Sequence, residues 1–307
     1  MIYLNAGHTG LHEPALKDWI SKNEVRAVHL IHDLIPITRP QFCRPGEAKK
    51  HSDRMRHALE SATGIIGNSQ DTLDELATFA SSVQLAMPAS VAAWISGVQI
   101  SEPVVARSLG RPHFVSIGTI EGRKNHVLLL NVWRHLVARL GDQAPILILI
   151  GQRGWEADEA TTILDGEQGL NGHVREFSRC EDRDLLDLLS GATALLMPSF
   201  AEGFGLPIIE ALQVGTPVIA SDLPVFRELA GDIPEYLHPS DADGWEAAIQ
   251  SFMARGADYQ RQKSRMSGYL APTWQEHFAI VDDWLSKLPS HKIVRAPRQQ
   301  SGNFDRD

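Results

Sequence analysis

Apolar residues in this chain gather in short dense runs, set between glycine- and proline-bearing turns and stretches of helical spacing. Ala194-Leu195-Leu196-Met197 is such a run, short and dense enough to be a strand buried on both faces. Glu202-Gly203-Phe204-Gly205 follows as a turn. Pro207 then sits where a first helical turn tolerates proline, because its missing N–H would have no partner there anyway. Ile208, Ile209, Ala211, Leu212 and Val214 continue as a mostly apolar helix, and Gly215-Thr216-Pro217 stops it. Val218-Ile219-Ala220 reads as the next buried strand. Strand, glycine turn, helix, strand is half of a doubly wound α/β sheet, its turn at the carboxyl edge where such sheets bind ligands.

The same alternation extends both ways. His113 to Ile117 reads as a strand ending in Gly118-Thr119, and Asn125 is placed to cap a helix whose Leu128, Val132, Leu136 and Leu140 fall four apart. Pro145 to Gly151 is a strand, Glu156 to Glu167 a helix, Val174 to Phe177 a short strand and Asp182 to Ser190 a helix. Together these predict one Rossmann-like domain over 109–273. Residues 1–108 read as a partial domain of the same kind: helix Ala15 to Ser21, strand Ala27 to Ile31 stopping at His32-Asp33, helix Arg54 to Ala62, strand Ile65 to Gly67, helix Asp71 to Ala77. No strand–GxGG–helix opening is visible, so the expectation is a shortened lobe or residues missing upstream of Met1. Pro103, Gly110 and Pro112 mark a hinge near Val98 to Pro112. Residues 274–288 form an amphipathic helix with Phe278, Val281, Leu285 and Leu288 on one face, and the polar stretch 289–307 reads as a flexible tail.

Composition narrows the class. With 43% apolar and 22% charged residues the chain is globular, and runs such as Ile146 to Ile150 fall far short of the roughly 20 residues of a membrane span. Met1-Ile2-Tyr3-Leu4 shows no secretory signal. Cys43 and Cys180 stand alone, without a disulfide or zinc pattern, so a cytoplasmic location is expected. A net charge of -9 argues against nucleic acid as partner. Arg44 to His57 carries five Lys/Arg against two acids, which is a solvated helix or a basic surface for anionic lipid or an acceptor diphosphate. The second reading would give peripheral contact with the inner face of the membrane.

The candidate chemistry lies on the carboxyl-edge turns. Glu202 and Glu210 could face one crevice, and the amides of Gly203 to Leu206 with the helix dipole make an anion site beside them. A phosphate there, with a carboxylate to accept ribose hydroxyls, suits a nucleotide. Arg123 and Lys124 stand after the 113–117 strand, where Arg can bind phosphate oxygens bidentately and Lys adds a mobile charge. His32 follows a buried strand and suits hydrogen bonding to a sugar hydroxyl. His8 and His12 are taken as structural. Asp241-Ala-Asp243 is a formal DxD metal motif, better read as the cap of a helix over Gly244 to Arg255.

Glu202-Gly-Phe-Gly-Leu-Pro-Ile-Ile-Glu210 with Gly215-Thr-Pro-Val-Ile-Ala-Ser221 closely resembles the donor-binding signature of family 4 retaining glycosyltransferases. Gly118-Thr-Ile-Glu-Gly-Arg-Lys-Asn125, His32-Asp-Leu-Ile-Pro-Ile37 and Ile65-Ile-Gly-Asn-Ser69 carry the resemblance through the rest of the chain. The resemblance implies the GT-B fold, two Rossmann-like domains facing each other across a cleft. It implies a nucleotide-sugar donor site at Gly118, Thr119, Arg123, Lys124, Gly203, Phe204, Gly205, Leu206 and Glu210, with backbone near Phe177 and Ser178 at the base. Glu202, His32, Arg123 and Lys124 would act on the donor sugar and diphosphate. No cofactor and no metal are implied. The expected reaction is retaining transfer of a hexose in polysaccharide biosynthesis, GDP-mannose being the leading donor and UDP-glucose next, to a glycan or polyprenyl-linked acceptor. A phosphorylase- or epimerase-like enzyme of the same shape, and a nucleotide-binding subunit without transfer activity, are the rivals.

Overall fold

The computed structural model describes residues 1–166 and 168–289, so Glu167 and the stretch 290–307 of the expected tail lie outside the described residues. The first lobe runs β1 (Ile2–Asn5), α1 (Pro14–Lys22), β2 (Arg26–Ile31), α2 (Ile35–Thr38), α3 (Glu47–Ser61), β3 (Gly64–Gly67), α4 (Gln70–Ser82) and β4 (Ala89–Ala92). Its four strands pair in parallel in the order β1-β2-β3-β4. The lobe has a first strand, loop and helix that sequence reading does not show: β1, a loop carrying Gly7 and Gly10 but no GxGG, then α1. Sequence reading misses β1 because this edge strand leaves Ile2 and Leu4 exposed and shows no clean alternation.

After an irregular stretch, the second lobe runs β5 (His113–Ile117), α5 (His126–Leu140), β6 (Ile146–Ile150), α6 (Asp158–Gly166), β7 (Val174–Phe177) and α7 (Asp182–Gly191). It continues with β8 (Ala194–Met197), α8 (Leu206–Gln213), β9 (Val218–Ser221), α9 (Pro224–Ala230), β10 (Glu235–Leu237), α10 (Ala242–Met253) and α11 (Ala257–Met266). Its strands are parallel in the order β10-β9-β8-β5-β6-β7, the doubly wound order that reverses between β5 and β8. The continuous apolar runs hide a period of two. Ile146, Ile148 and Ile150 pack with α7 and α8 on one face, while Leu147 and Leu149 pack with α5 on the other.

The last helix, α12 (Trp274–Lys287), covers the face of the first sheet that α3 and α4 leave open. Val281, Trp284, Leu285 and Leu288 pack with Val28 and Ile66, and His277 Nδ1 lies 3.2 Å from the Ala93 carbonyl. The packed stripe is therefore 277, 281, 284, 285 and 288. Phe278, expected on that face, is instead 55% exposed and stacks on Trp274, one helical step off the stripe. Thr273 and Glu276 form a capping box that starts the helix.

Candidate active site

Because β5 and β8 are neighbours at the reversal, the loops leaving their carboxyl ends face one another. The Phe200 N–H donates to the Arg123 carbonyl (2.8 Å), joining the two loops through backbone. Asn125 does not cap α5 with its side chain as expected. It sits at φ 56°, outside the extended conformation of a capping residue, and its Nδ2 donates to the carbonyls of Pro198 (3.1 Å) and Pro239 (2.8 Å), which hold the side chain in that orientation, where it makes no hydrogen bond to the helix amides.

Between these loops lies a charge cluster. Lys124 Nζ donates to Glu202 Oε1 (2.6 Å), Arg123 Nη1 to Glu202 Oε2 (2.8 Å), and Ser199 Oγ to Oε1 (2.7 Å). Arg123 Nε also pairs with Glu121 (2.6 Å), and Nη1 reaches the Ala201 carbonyl (3.1 Å), leaving the Nη2 hydrogens for a ligand. Burial of Glu202 would push its carboxyl up. The Lys124 and Arg123 charges and the hydrogen bonds from Lys124 and Ser199 outweigh that and hold it at about 2. Two cations are thus fixed at the switch point by a carboxylate that is only 7% exposed, not by one solvated in a crevice.

Glu210 points elsewhere. It is buried on α8 and accepts from the Val98 N–H, so it faces the hinge; burial first, then Asp182, pushes its carboxyl up. The two glutamates share a unit but not an open crevice. Gly118 ends β5 beside Lys124, and the Thr119 methyl packs on Gly154. Phe204 is buried in the core, so only its backbone can meet a ligand. Gly205 adopts φ 140° at the start of α8, a conformation that favours glycine, ahead of Leu206. Past the ends of β6 and β7, Phe177 and Ser178 line a cavity of about 730 Å³ with Gly151, Gln152 and Arg179. Phe177 is 40% exposed there, a flat apolar surface on which a base can stack.

The first lobe reaches this site directly. A Cβ at Gly203 would lie 2.6 Å from the His32 carbonyl oxygen, so only glycine fits the turn there. Phe42 stacks on Phe200, ring centroids 5.2 Å apart. His32 Nε2 lies 2.6 Å from the Ala6 carbonyl and must carry its proton, which leaves Nδ1 for a ligand. His8, read from sequence as structural, accepts from the His32 N–H (3.3 Å) and lies within 5.6 Å of the His51 ring. Burial, helped by His51, His32 and Arg54, brings His8 down to about 4, so it stays neutral at pH 7. Sequence reasoning also passes over His51, Ser199 and Glu121. His51 belongs to the buried α3 stripe with Met55, Ala58 and Leu59, and that spacing could have marked it.

Asp241 Oδ1 accepts from the Gly244 N–H (3.0 Å) and caps α10. Among the described residues no group of three or more His, Cys, Asp or Glu is placed to hold a metal, and no helix is long and apolar enough to cross a membrane. On α3, Lys49, Lys50, Asp53 and His57 line a cavity of about 360 Å³ with His12.

Two facing α/β lobes, with a cation pair and a buried carboxylate at the switch point of the second, have the GT-B architecture. The chain belongs to the glycosyl transferases group 1 family, whose pattern matches residues 99–267. It is 30% identical over 233 residues to the Escherichia coli O-antigen chain mannosyltransferase B, covering 73% of this chain and 60% of that protein. It is 26% identical over 279 residues to the Escherichia coli serotype-specific mannosyltransferase WbdA, covering 86% of this chain but 33% of that protein. The chain thus spans about a third of the length of this relative. The fold resembles sucrose-phosphate synthase from Thermosynechococcus elongatus, with a TM-score of 0.70 at 18% identity over 94% of this chain and 73% of that one.

Proposed function

We propose that this chain is a retaining, metal-independent glycosyltransferase that moves mannose from GDP-mannose to a growing, polyprenyl-linked surface glycan. The observation that carries the reading is the Arg123–Lys124–Glu202 cluster at the switch point, with His32 brought to the adjoining turn from the other lobe. The choice of mannose rests on the relatives, named as mannosyltransferases of O-antigen and serotype-specific type.

In this reading Arg123, Lys124 and the amides near Gly205 take the diphosphate and stabilise the negative charge that grows on it as the glycosidic bond opens. Two fixed cations and a helix dipole then do what a divalent ion does elsewhere. Glu202 is free to accept sugar hydroxyls once phosphate shares its cations, and stays ionised throughout. Glu210 accepts ribose hydroxyls once it turns from the Val98 N–H that holds it in the free protein, Phe177 underlies the base, and His32 Nδ1 meets the sugar. No side chain in the cluster is placed as a covalent nucleophile. Attack on the departing face is therefore favoured, a donor phosphate oxygen taking the acceptor proton.

GDP should raise the melting temperature in EDTA, with stabilisation of about 2.7 kcal/mol at a hundred times Kd. Stabilisation only with Mn²⁺ or Mg²⁺ would overturn metal independence, and a larger effect of UDP would replace the base. In the same assay Glu210→Gln should weaken GDP and GDP-mannose alike, by about 1–3 kcal/mol, because an amide offers one acceptor and a misplaced donor to the ribose. Unchanged GDP affinity in Glu210→Gln would remove Glu210 from the nucleotide site.

A further inference from the structure

We propose that Glu228 is a positioning residue for sugar transfer: from α9 of the second lobe it docks the first turn of α4 and so holds His32 against the 202–205 turn. This rests on the transfer reading above.

Glu228 Oε1 accepts from the Gln70 N–H (2.8 Å) and the Trp94 indole N–H (2.7 Å), and Oε2 accepts from the Asp71 N–H (3.0 Å). The first amides of a helix have no partner inside it, and their dipole favours a carboxylate. In α4 the Ser69 side chain accepts from the Thr72 N–H (3.0 Å), which leaves Gln70 and Asp71 to be met from outside. Glu228 meets both, from another lobe and more than 150 residues away. The third bond ties the same carboxylate to Trp94, in the stretch joining the lobes.

The docked turn is also where the two halves of the site converge. Thr72 Oγ1 lies 3.3 Å from the Gly203 carbonyl and 3.4 Å from the His32 carbonyl, and Asn68 Nδ2 donates to the His32 carbonyl (2.9 Å). Glu228 touches neither the cation pair nor the cavity beside Phe177. Moving it should shift His32 relative to Gly203 while the nucleotide site within the second lobe stays as built. Glutamine cannot substitute, since its NH₂ would oppose one of the three donors.

The test is Glu228→Gln in the full chain, assayed for GDP-mannose turnover, GDP affinity by calorimetry, and amide exchange at Gln70 and Asp71. The expected result is kcat reduced at least tenfold, GDP Kd within twofold, and exchange at least tenfold faster at the two amides. Trp94→Phe keeps an aromatic side chain and removes the indole N–H bond to Glu228, so it should lower kcat less, again with GDP Kd unchanged; it also serves if Glu228→Gln does not fold. Unchanged kcat, or GDP affinity falling in step with kcat, would overturn the proposal. If the wild type transfers no sugar, the transfer reading fails by itself; exchange then decides the docking, and unchanged rates at Gln70 and Asp71 would sink it.

Discussion

Glu202→Ala is expected to destabilise the fold by about 3–5 kcal/mol, because it leaves Lys124 and part of the Arg123 charge buried without a partner. At 2–4 °C per kcal/mol that is a fall in Tm of about 6–20 °C. Glu202→Gln keeps the shape and isolates the charge. The folded carboxyl sits at about 2 against 4.5 for an unhindered glutamate, so its contribution is fully present above about pH 5 and is lost as pH falls towards 2. Wild-type stability should therefore drop over that window, and Glu202→Gln should drop less steeply. Binding sharpens the point. In the free protein Glu202 occupies the cations that the diphosphate needs, so Glu202→Gln should bind GDP as well as wild type or more tightly. Transfer should nevertheless fall by about 10²–10³, the loss of an electrostatic contact to the reacting sugar. A Glu202→Gln protein that binds GDP more weakly would show the carboxylate to be part of the nucleotide site. An unchanged acid limb would mean the cations do not hold it.

Most of the second lobe can be read from residues alone, because its central strands β5, β6, β8 and β9 are buried on both faces and its turns carry glycine and proline at fixed places; β10, half-buried at the sheet edge, is not among the strands so read. The first lobe is less legible. Its edge strand β1 is half exposed, and β4 (Ala89–Ala92) mixes Ala, Ser and Val without a clear period. Missing β1 is why His8 is read from sequence as structural, since only the strand brings it beside His32. At the site, the residue types Glu202, Glu210, Arg123 and Lys124 are visible in the spacing, but their pairing is not. Glu202 faces the cations because two loops 79 residues apart meet over the reversal between β5 and β8, and Glu210 faces the Val98 amide because the stretch joining the lobes runs past α8. The same holds for Asn125: its sequence position fits a cap, but its left-handed backbone and the two carbonyls past the β8 and β10 ends that take its Nδ2 hold the side chain in another orientation. Local pattern gives the elements; contacts between distant loops give the chemistry.

Lys124→Met should weaken GDP binding by about 1.5–3 kcal/mol, the value of a hydrogen bond to a charged group, which is about 10- to 150-fold in Kd. It is the cleaner of the two cation variants. Glu202 keeps Arg123 and Ser199, so the buried carboxylate is not orphaned and the fold should survive. Arg123→Met removes more at once: the bonds to Glu202, Glu121 and the Ala201 carbonyl. It should add a loss of Tm to a similar loss of GDP affinity. In both variants guanosine, which lacks phosphate, should bind within twofold of wild type, because its base and ribose are assigned to Phe177 and Glu210. Transfer should fall further than GDP binding does, since the charge on the diphosphate is greatest as the sugar leaves. Titrating GDP and guanosine into each variant separates the outcomes. Equal losses for both ligands would make Arg123 and Lys124 supports of the loops, and a diphosphate that binds Lys124→Met normally would move the phosphate site away from the β5–β8 switch point.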